Sequence, residues 1–203
     1  MAVHVPALRV AAADARSAAT RLGEVVLDLA SHVPPSRERA TSGPHAHAQT
    51  LANAAARRAA LAAGTLALPP GPLGWLTIVP ELVAIWRIQR QMVADIAAAY
   101  GASADLTRSQ MIYCLFRHAA AQALRDVGVQ VGARLIVRDL PLRTIERIAA
   151  KVGVRMSRRV AGRGFSRWLP VIGAAGVGAY AYYDTRQVAR TAIALFGDAT
   201  KDA

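Results

Sequence analysis

Residues 142–160 read LRTIERIAAKVGVRMSRRV, and the spacing of their apolar side chains decides the fold class. Ile145 is placed at zero on a helical wheel, and each further residue turns the chain by about 100°. The apolar side chains within about 60° of Ile145 are then Ile148, Ala149, Val152, Met156 and Val160. The side chains on the opposite side of the wheel are cationic: Arg143, Arg147, Lys151, Arg155 and Arg158. This pattern predicts a basic amphipathic helix.

Helical signals continue on both sides of this segment. Apolar spacing, together with proline and glycine stops, predicts further helices at 5–32, 45–68, 79–100, 107–125 and 170–196. The last helix opens at Pro170, and its apolar first half carries small residues that would let another helix approach closely: Gly173, Gly176 and Gly178. We predict an all-α, single-domain bundle of about five to seven helices with a glycine-rich apolar C-terminal helix. Residues 1–43 form an N-terminal helix and Pro/Ser/Arg loop that can be peripheral to a helical domain at 44–203.

The net charge is strongly positive, with 25 Lys or Arg against 13 Asp or Glu. Residues 143–167 alone hold eight cations and one acid, Glu146. Like charges four residues apart on a helix repel, so this face is expected to meet an anion. We expect acidic phospholipid, with Phe165 and Trp168 entering the membrane interface. The binding residues would be Arg143, Arg147, Lys151, Arg155, Arg158 and Arg159.

Other readings of the basic face remain open. It can be a solvated surface, or it can bind nucleic acid without sequence preference. The chain contains no helix-turn-helix signature, zinc site or aromatic and basic sheet motif, which makes nucleic acid the weaker candidate. An apolar ligand held within the bundle is a further candidate.

The sequence also bears on the compartment. Arg9 and Asp14 interrupt the apolar N-terminal stretch, which does not resemble a secretory signal. The uncharged run at 59–80 contains four prolines, which would break the backbone ladder that a membrane span must keep. The apolar run at 169–183 is short for a span, although its insertion into a bilayer stays open. We expect a cytoplasmic protein, peripheral at the inner face of the membrane, with a membrane protein as an alternative partner.

Three stretches outside the basic helix resemble the bacterial EcsC family. They are LPPGPLG at 68–74 followed by TIVPEL at 77–82, IAAAYG at 96–101, and LPVIGAAG at 169–176 leading to Val188, Ala189 and Phe196. The resemblance covers about residues 45–197. It implies a helical, membrane-associated or transport-linked protein without an established activity, and it supplies no catalytic residues.

Candidates for chemistry are few. Cys114 and His118 lie one helical turn apart and could hold a metal or haem, or form a nucleophile and base, but no further ligand or orienting group accompanies them. We therefore predict no metal, no cofactor and a function in binding, with a small enzyme or haem protein centred on this pair as the alternative. Four charged residues in apolar surroundings should form internal salt bridges or helix-start contacts, or else a polar site inside the bundle: Glu81, Asp95, Asp184 and Arg186.

Overall fold

The computed structural model describes residues 32–66, 74–117, 128–131, 134–137 and 170–199, together with the isolated residues Glu24, Asp28, Arg143, Arg147, Ile148 and Ala150. The elements in these ranges are α1 (Pro44–Leu66), α2 (Gly74–Ala99), α3 (Arg108–Phe116), β1 (Gly128–Val131), β2 (Arg134–Val137) and α4 (Pro170–Ala199). The chain is mostly helical, as predicted. The described ranges contain four helices, and the count of five to seven stays a prediction because 1–31 and 142–160 lie largely outside them.

Helices α1, α2 and α4 form the body of the structure. Helix α1 packs most extensively against α4 and then against α2. Its inner face consists of alanines with no solvent exposure, which recur at helical spacing: Ala48, Ala52, Ala55, Ala56, Ala59 and Ala63. Because alanine side chains are small, the partner helices can lie close to α1 along this face.

The larger core side chains come from α2, α3 and the second half of α4. Trp86 and Phe116 are almost completely buried and meet edge to face, with ring centroids 5.6 Å apart and an interplanar angle of 83°. Val188 and Phe196 of α4 belong to the same core cluster. Alanine-rich α1 therefore covers a core whose bulk is supplied by the other helices.

Two predicted helix starts have different outcomes. Thr107 caps α3, since its hydroxyl accepts from the backbone N–H of Gln110 and the Gln110 side chain accepts from the backbone N–H of Thr107. The predicted start at 107 is thus confirmed. The start predicted beside Pro80 was wrong, because α2 begins at Gly74. Pro80 thus lies in the second turn of α2, where a proline removes one backbone hydrogen bond and its ring crowds the preceding turn, a cost that the rest of this long helix offsets.

A short β-hairpin follows in the region of Gly128, to which the sequence analysis assigned no structure. Strands β1 and β2 are antiparallel, with Gly128 opposite Val137 and Val131 opposite Arg134. Strand β2 contacts α3 and α4. The hairpin is thus a small addition beside a helical body.

Residues 32–43, which the sequence analysis assigned to a segment that can be peripheral, contact the bundle. The Ser36 hydroxyl donates to a carboxylate oxygen of Asp95 at 2.7 Å, and the Gln91 amide donates to the Pro35 carbonyl at 3.1 Å. The backbone N–H of Thr41 donates to the carbonyl of Ala99 at 3.2 Å. These bonds hold the segment along the C-terminal half of α2.

Candidate functional site

The predicted basic helix is represented by four described residues, all with helical backbone: Arg143, Arg147, Ile148 and Ala150. Both arginines are exposed, whereas Ile148 is 1% exposed and belongs to the main hydrophobic core. At this turn the cations therefore face solvent and the apolar side contacts the bundle. The other residues predicted for this surface lie outside the described ranges: Lys151, Arg155, Arg158, Arg159, Phe165 and Trp168.

The three glycines predicted for close helix packing have different surroundings. A Cβ atom built on Gly178 would lie 3.0 Å from the carbonyl oxygen of Ala60, so the backbones of α4 and α1 nearly touch there. A Cβ on Gly176 would meet no neighbouring atom within 4 Å. Gly173 lies within α4, but its surroundings are outside the described part. Close approach is thus observed at Gly178.

Cys114, half of the predicted Cys/His pair, lies in the core of the protein. It is fully buried, and burial raises the pKa of its thiol to about 12, while Arg117 lowers it by a smaller amount. The thiol therefore stays protonated at neutral pH, and a thiol in that state is neither a good nucleophile nor a metal ligand. His118 lies outside the described residues. Within the described ranges, no three His, Cys, Asp or Glu side chains are placed to hold a metal ion.

Native protein should consequently leave Cys114 unlabelled by a thiol reagent at pH 8. With a pKa of about 12, roughly one thiol in ten thousand is ionised at that pH, and the side chain has no access to solvent. Titration with an aromatic disulfide should give no thiol per chain in buffer and one in denaturant. Rapid labelling of the native chain would show an accessible thiolate and would revive the enzyme or haem alternative.

A buried polar cluster joins α2 to α4. The amide nitrogen of Gln89, which is 1% exposed, donates to a carboxylate oxygen of Asp184 at 2.9 Å and to the hydroxyl of Thr185 at 3.2 Å. The amide oxygen of Gln89 accepts no hydrogen bond from the described residues. This is a polar site inside the bundle in which the amide oxygen of Gln89 lacks a donor among the described residues.

Among the described residues, three of the four charged side chains for which internal salt bridges or a polar site were predicted bond to neutral groups, and Asp184 belongs to the polar cluster. Asp95 accepts from Ser36 and Gln91, and Asp184 accepts from Gln89. Arg186 donates to the side-chain oxygen of Asn53 at 2.6 Å. The side chain of Glu81 lies outside the described part. Within the described ranges, neutral amides and a hydroxyl are the hydrogen-bonding partners of these groups.

A cleft of about 710 Å³ opens between the N-terminal half of α1 and the C-terminal half of α4. The two helices run in opposite directions, since Gly178 lies beside Ala60 and Arg186 bonds to Asn53. Ile193 and Ala194 form its accessible apolar part, while His45 and Arg190 lie among its polar groups. The cleft thus lies along the same seam and begins about two turns beyond the close contact at Gly178.

Tyr100 lines one part of this cleft. Its hydroxyl lies 3.3 Å from Nδ1 of His45, whose Nε2 is 3.0 Å from the amide nitrogen of Gln49. With the Gln49 amide donating to Nε2, the ring proton belongs on Nδ1 and is donated to the Tyr100 oxygen. Burial raises the pKa of Tyr100, so the hydroxyl keeps its own proton. The hydroxyl lies beside Gly197, at the Asp198 end of the cleft.

Three exposed tyrosines lie on the N-terminal half of α4. Tyr180, Tyr182 and Tyr183 are 42%, 38% and 60% exposed, and Leu61 of α1 is exposed as well. Tyrosine has an apolar ring and a polar tip, a combination that suits the boundary between a membrane and water. The sequence analysis missed both these tyrosines and the cleft, although Gly178, Tyr182, Arg186 and Arg190 recur at every fourth position.

No family model, curated protein or solved structure matches this chain. Within the part of the chain that the structure describes, no helix combines the length and apolar character that crossing a bilayer requires.

Proposed function

We propose that this protein associates with the surface of membranes rich in anionic phospholipid, through the basic amphipathic helix at 142–160. The observation that carries the proposal is the turn at Arg143, Arg147 and Ile148, where both cations are exposed and the isoleucine is buried in the core. With Ile148 held in the core, Arg143 and Arg147 are presented to solvent one turn apart, and we expect the remaining cations of the segment to extend this row. Such a row suits the phosphates of lipid headgroups.

The burial of Ile148 also implies that attraction to the membrane and insertion into it come from two different segments. An apolar face that contacts the protein core is not free to enter a membrane, so this turn contributes attraction and no insertion. Five or six cations at about 1 kcal/mol each give roughly 6 kcal/mol, which corresponds to tens of micromolar. Insertion of Phe165 and Trp168 would then supply the remaining affinity.

Two further features support the same proposal. The exposed tyrosines at 180, 182 and 183 are side chains that favour the headgroup region. The resemblance to the EcsC family points to membrane association, and we propose that the chain is a member acting at the inner face of the cytoplasmic membrane. Nucleic acid is the competing partner, because a net charge of +12 attracts any polyanion.

The wild-type protein should float with vesicles of phosphatidylglycerol and should stay in solution with vesicles of phosphatidylcholine. Flotation should fall as salt is raised toward 1 M, where the Debye length is about 3 Å and the attraction between cations and phosphates is screened. Equal flotation with both lipids, or binding that salt does not weaken, would contradict the proposal. Duplex DNA retention should be measured alongside, to compare the two polyanions.

A further inference from the structure

We propose that the cleft between α1 and α4 is a binding site for a single-chain amphiphile with an anionic headgroup, such as a long-chain carboxylate. The cleft is lined by the N-terminal half of α1, the C-terminal half of α4 and Tyr100. No described residue of the basic helix at 142–160 lines it. The inference therefore goes beyond the proposed membrane association, and either can fail without the other.

The charge of the cleft points to an anion. Arg186 is half-buried and donates at 2.6 Å to Asn53, a neutral acceptor that fixes the guanidinium without cancelling its charge. Arg190, one turn further along α4, is exposed and has no partner among the described residues. Two cations four residues apart repel each other, and partial burial removes some of the water that would screen them. A bound anion between them would relieve both costs.

The acid that lines the cleft is too distant to serve as this anion. Asp198 lies two helical turns beyond Arg190, which is about 12 Å along the helix axis. The Tyr100 hydroxyl lies beside Gly197, at the same distant end of the cleft as Asp198, so it does not belong to the headgroup site. An incoming carboxylate would thus meet two guanidinium groups, both of which donate.

The apolar wall decides between a free anion and an amphiphile. Partly exposed Ile193 and exposed Ala194 line the cleft, and neither can contact an anion favourably. The volume of about 710 Å³ lies in the range of small-molecule pockets, roughly 300–1,000 Å³. A phosphate ion would leave this wall in contact with water, whereas an alkyl chain would cover it. The site therefore fits a ligand with one charged end and one apolar chain.

Dodecanoate, titrated calorimetrically below its micelle concentration, is the probe for this site. Wild-type protein should bind it with a stoichiometry of one, and Arg190→Gln should weaken binding on the order of tenfold. The combined Arg186→Gln and Arg190→Gln variant should weaken it on the order of a hundredfold. Ala194→Trp places a bulky ring in the cleft from an exposed position and should block binding while the fold is retained.

Matched controls separate this site from general charge and from the basic helix. Arg58→Gln with Arg87→Gln removes two exposed arginines outside the cleft and should leave dodecanoate affinity unchanged. Arg143→Gln with Arg147→Gln should also leave it unchanged, even where membrane flotation falls. Unaltered binding by the Arg190 variant would overturn the proposal. So would equal binding of dodecyltrimethylammonium, or competition by inorganic phosphate as strong as by dodecanoate.

Discussion

A variant with glutamine at positions 147, 151, 155 and 158 is expected to lose flotation with acidic vesicles at moderate salt. Four cations are removed, and at about 1 kcal/mol each the attraction falls by about 4 kcal/mol, on the order of a thousandfold in affinity. Glutamine has nearly the helix propensity of arginine and lysine, so the helix should persist. Vesicle flotation with phosphatidylglycerol measures the loss, and phosphatidylcholine vesicles should hardly distinguish the variant from the wild type.

The control for this experiment is a second variant with the same net charge. Arg57, Arg58, Arg87 and Arg108 are exposed on α1, α2 and α3, and their replacement by glutamine also removes four charges. This control should float almost as well as the wild type if the position of the charge matters. Equal loss of flotation in both variants would show that the net charge, and not the position of the cations, determines binding. A quadruple variant that still floats but no longer retains duplex DNA would favour the nucleic-acid alternative.

Replacement of Phe116 by alanine is expected to lower the free energy of unfolding by about 3–5 kcal/mol. Phe116 is 1% exposed, and its ring meets Trp86 edge to face, so the change removes a large buried side chain and an aromatic contact. Urea unfolding followed by circular dichroism gives the change in stability. For a domain of ordinary stability, a loss of this size leaves the fold marginal at room temperature.

Leu61→Ala is the matched control for the core variant. Leu61 is 68% exposed, so its truncation should change the free energy of unfolding by no more than about 0.5 kcal/mol. Similar unfolding curves for Phe116→Ala and Leu61→Ala would mean that the aromatic contact does not stabilise the core.

Local signals in the sequence predicted much of the helical structure. The segment 45–68 closely matches α1, and Thr107 begins the next predicted helix as its N-cap, because caps and periodic apolar residues act within one or two turns. The predicted start of α2 was placed beside Pro80 because proline is common at the first position of a helix. The helix instead begins six residues earlier, at Gly74. The hairpin at 128–137 was missed because two strands of four residues carry little periodicity.

The cleft could not be predicted in the same way. Its cations are visible in the sequence as Arg186 and Arg190, one turn apart, but Asn53 and His45 face them from α1 only after the bundle has formed. The position of the cleft along the seam between α1 and α4 depends on how two helices distant in sequence pack against each other. Periodicity within one helix holds no information about that pairing.

The arrangement of α1 against α4 has a consequence for biosynthesis. About a hundred residues separate Leu66 from Pro170, and at roughly 5–20 residues per second the ribosome needs roughly 5–20 s to make them. During that interval the inner face of α1 lacks its most extensive partner. An alanine face exposes less apolar area per residue than a leucine face would. The unpaired α1 is therefore expected to aggregate less readily than a leucine-rich helix in the same position. The alanine content of α1 lets α1 and α4 pack closely in the folded protein, and it also lowers the tendency of the incomplete chain to aggregate.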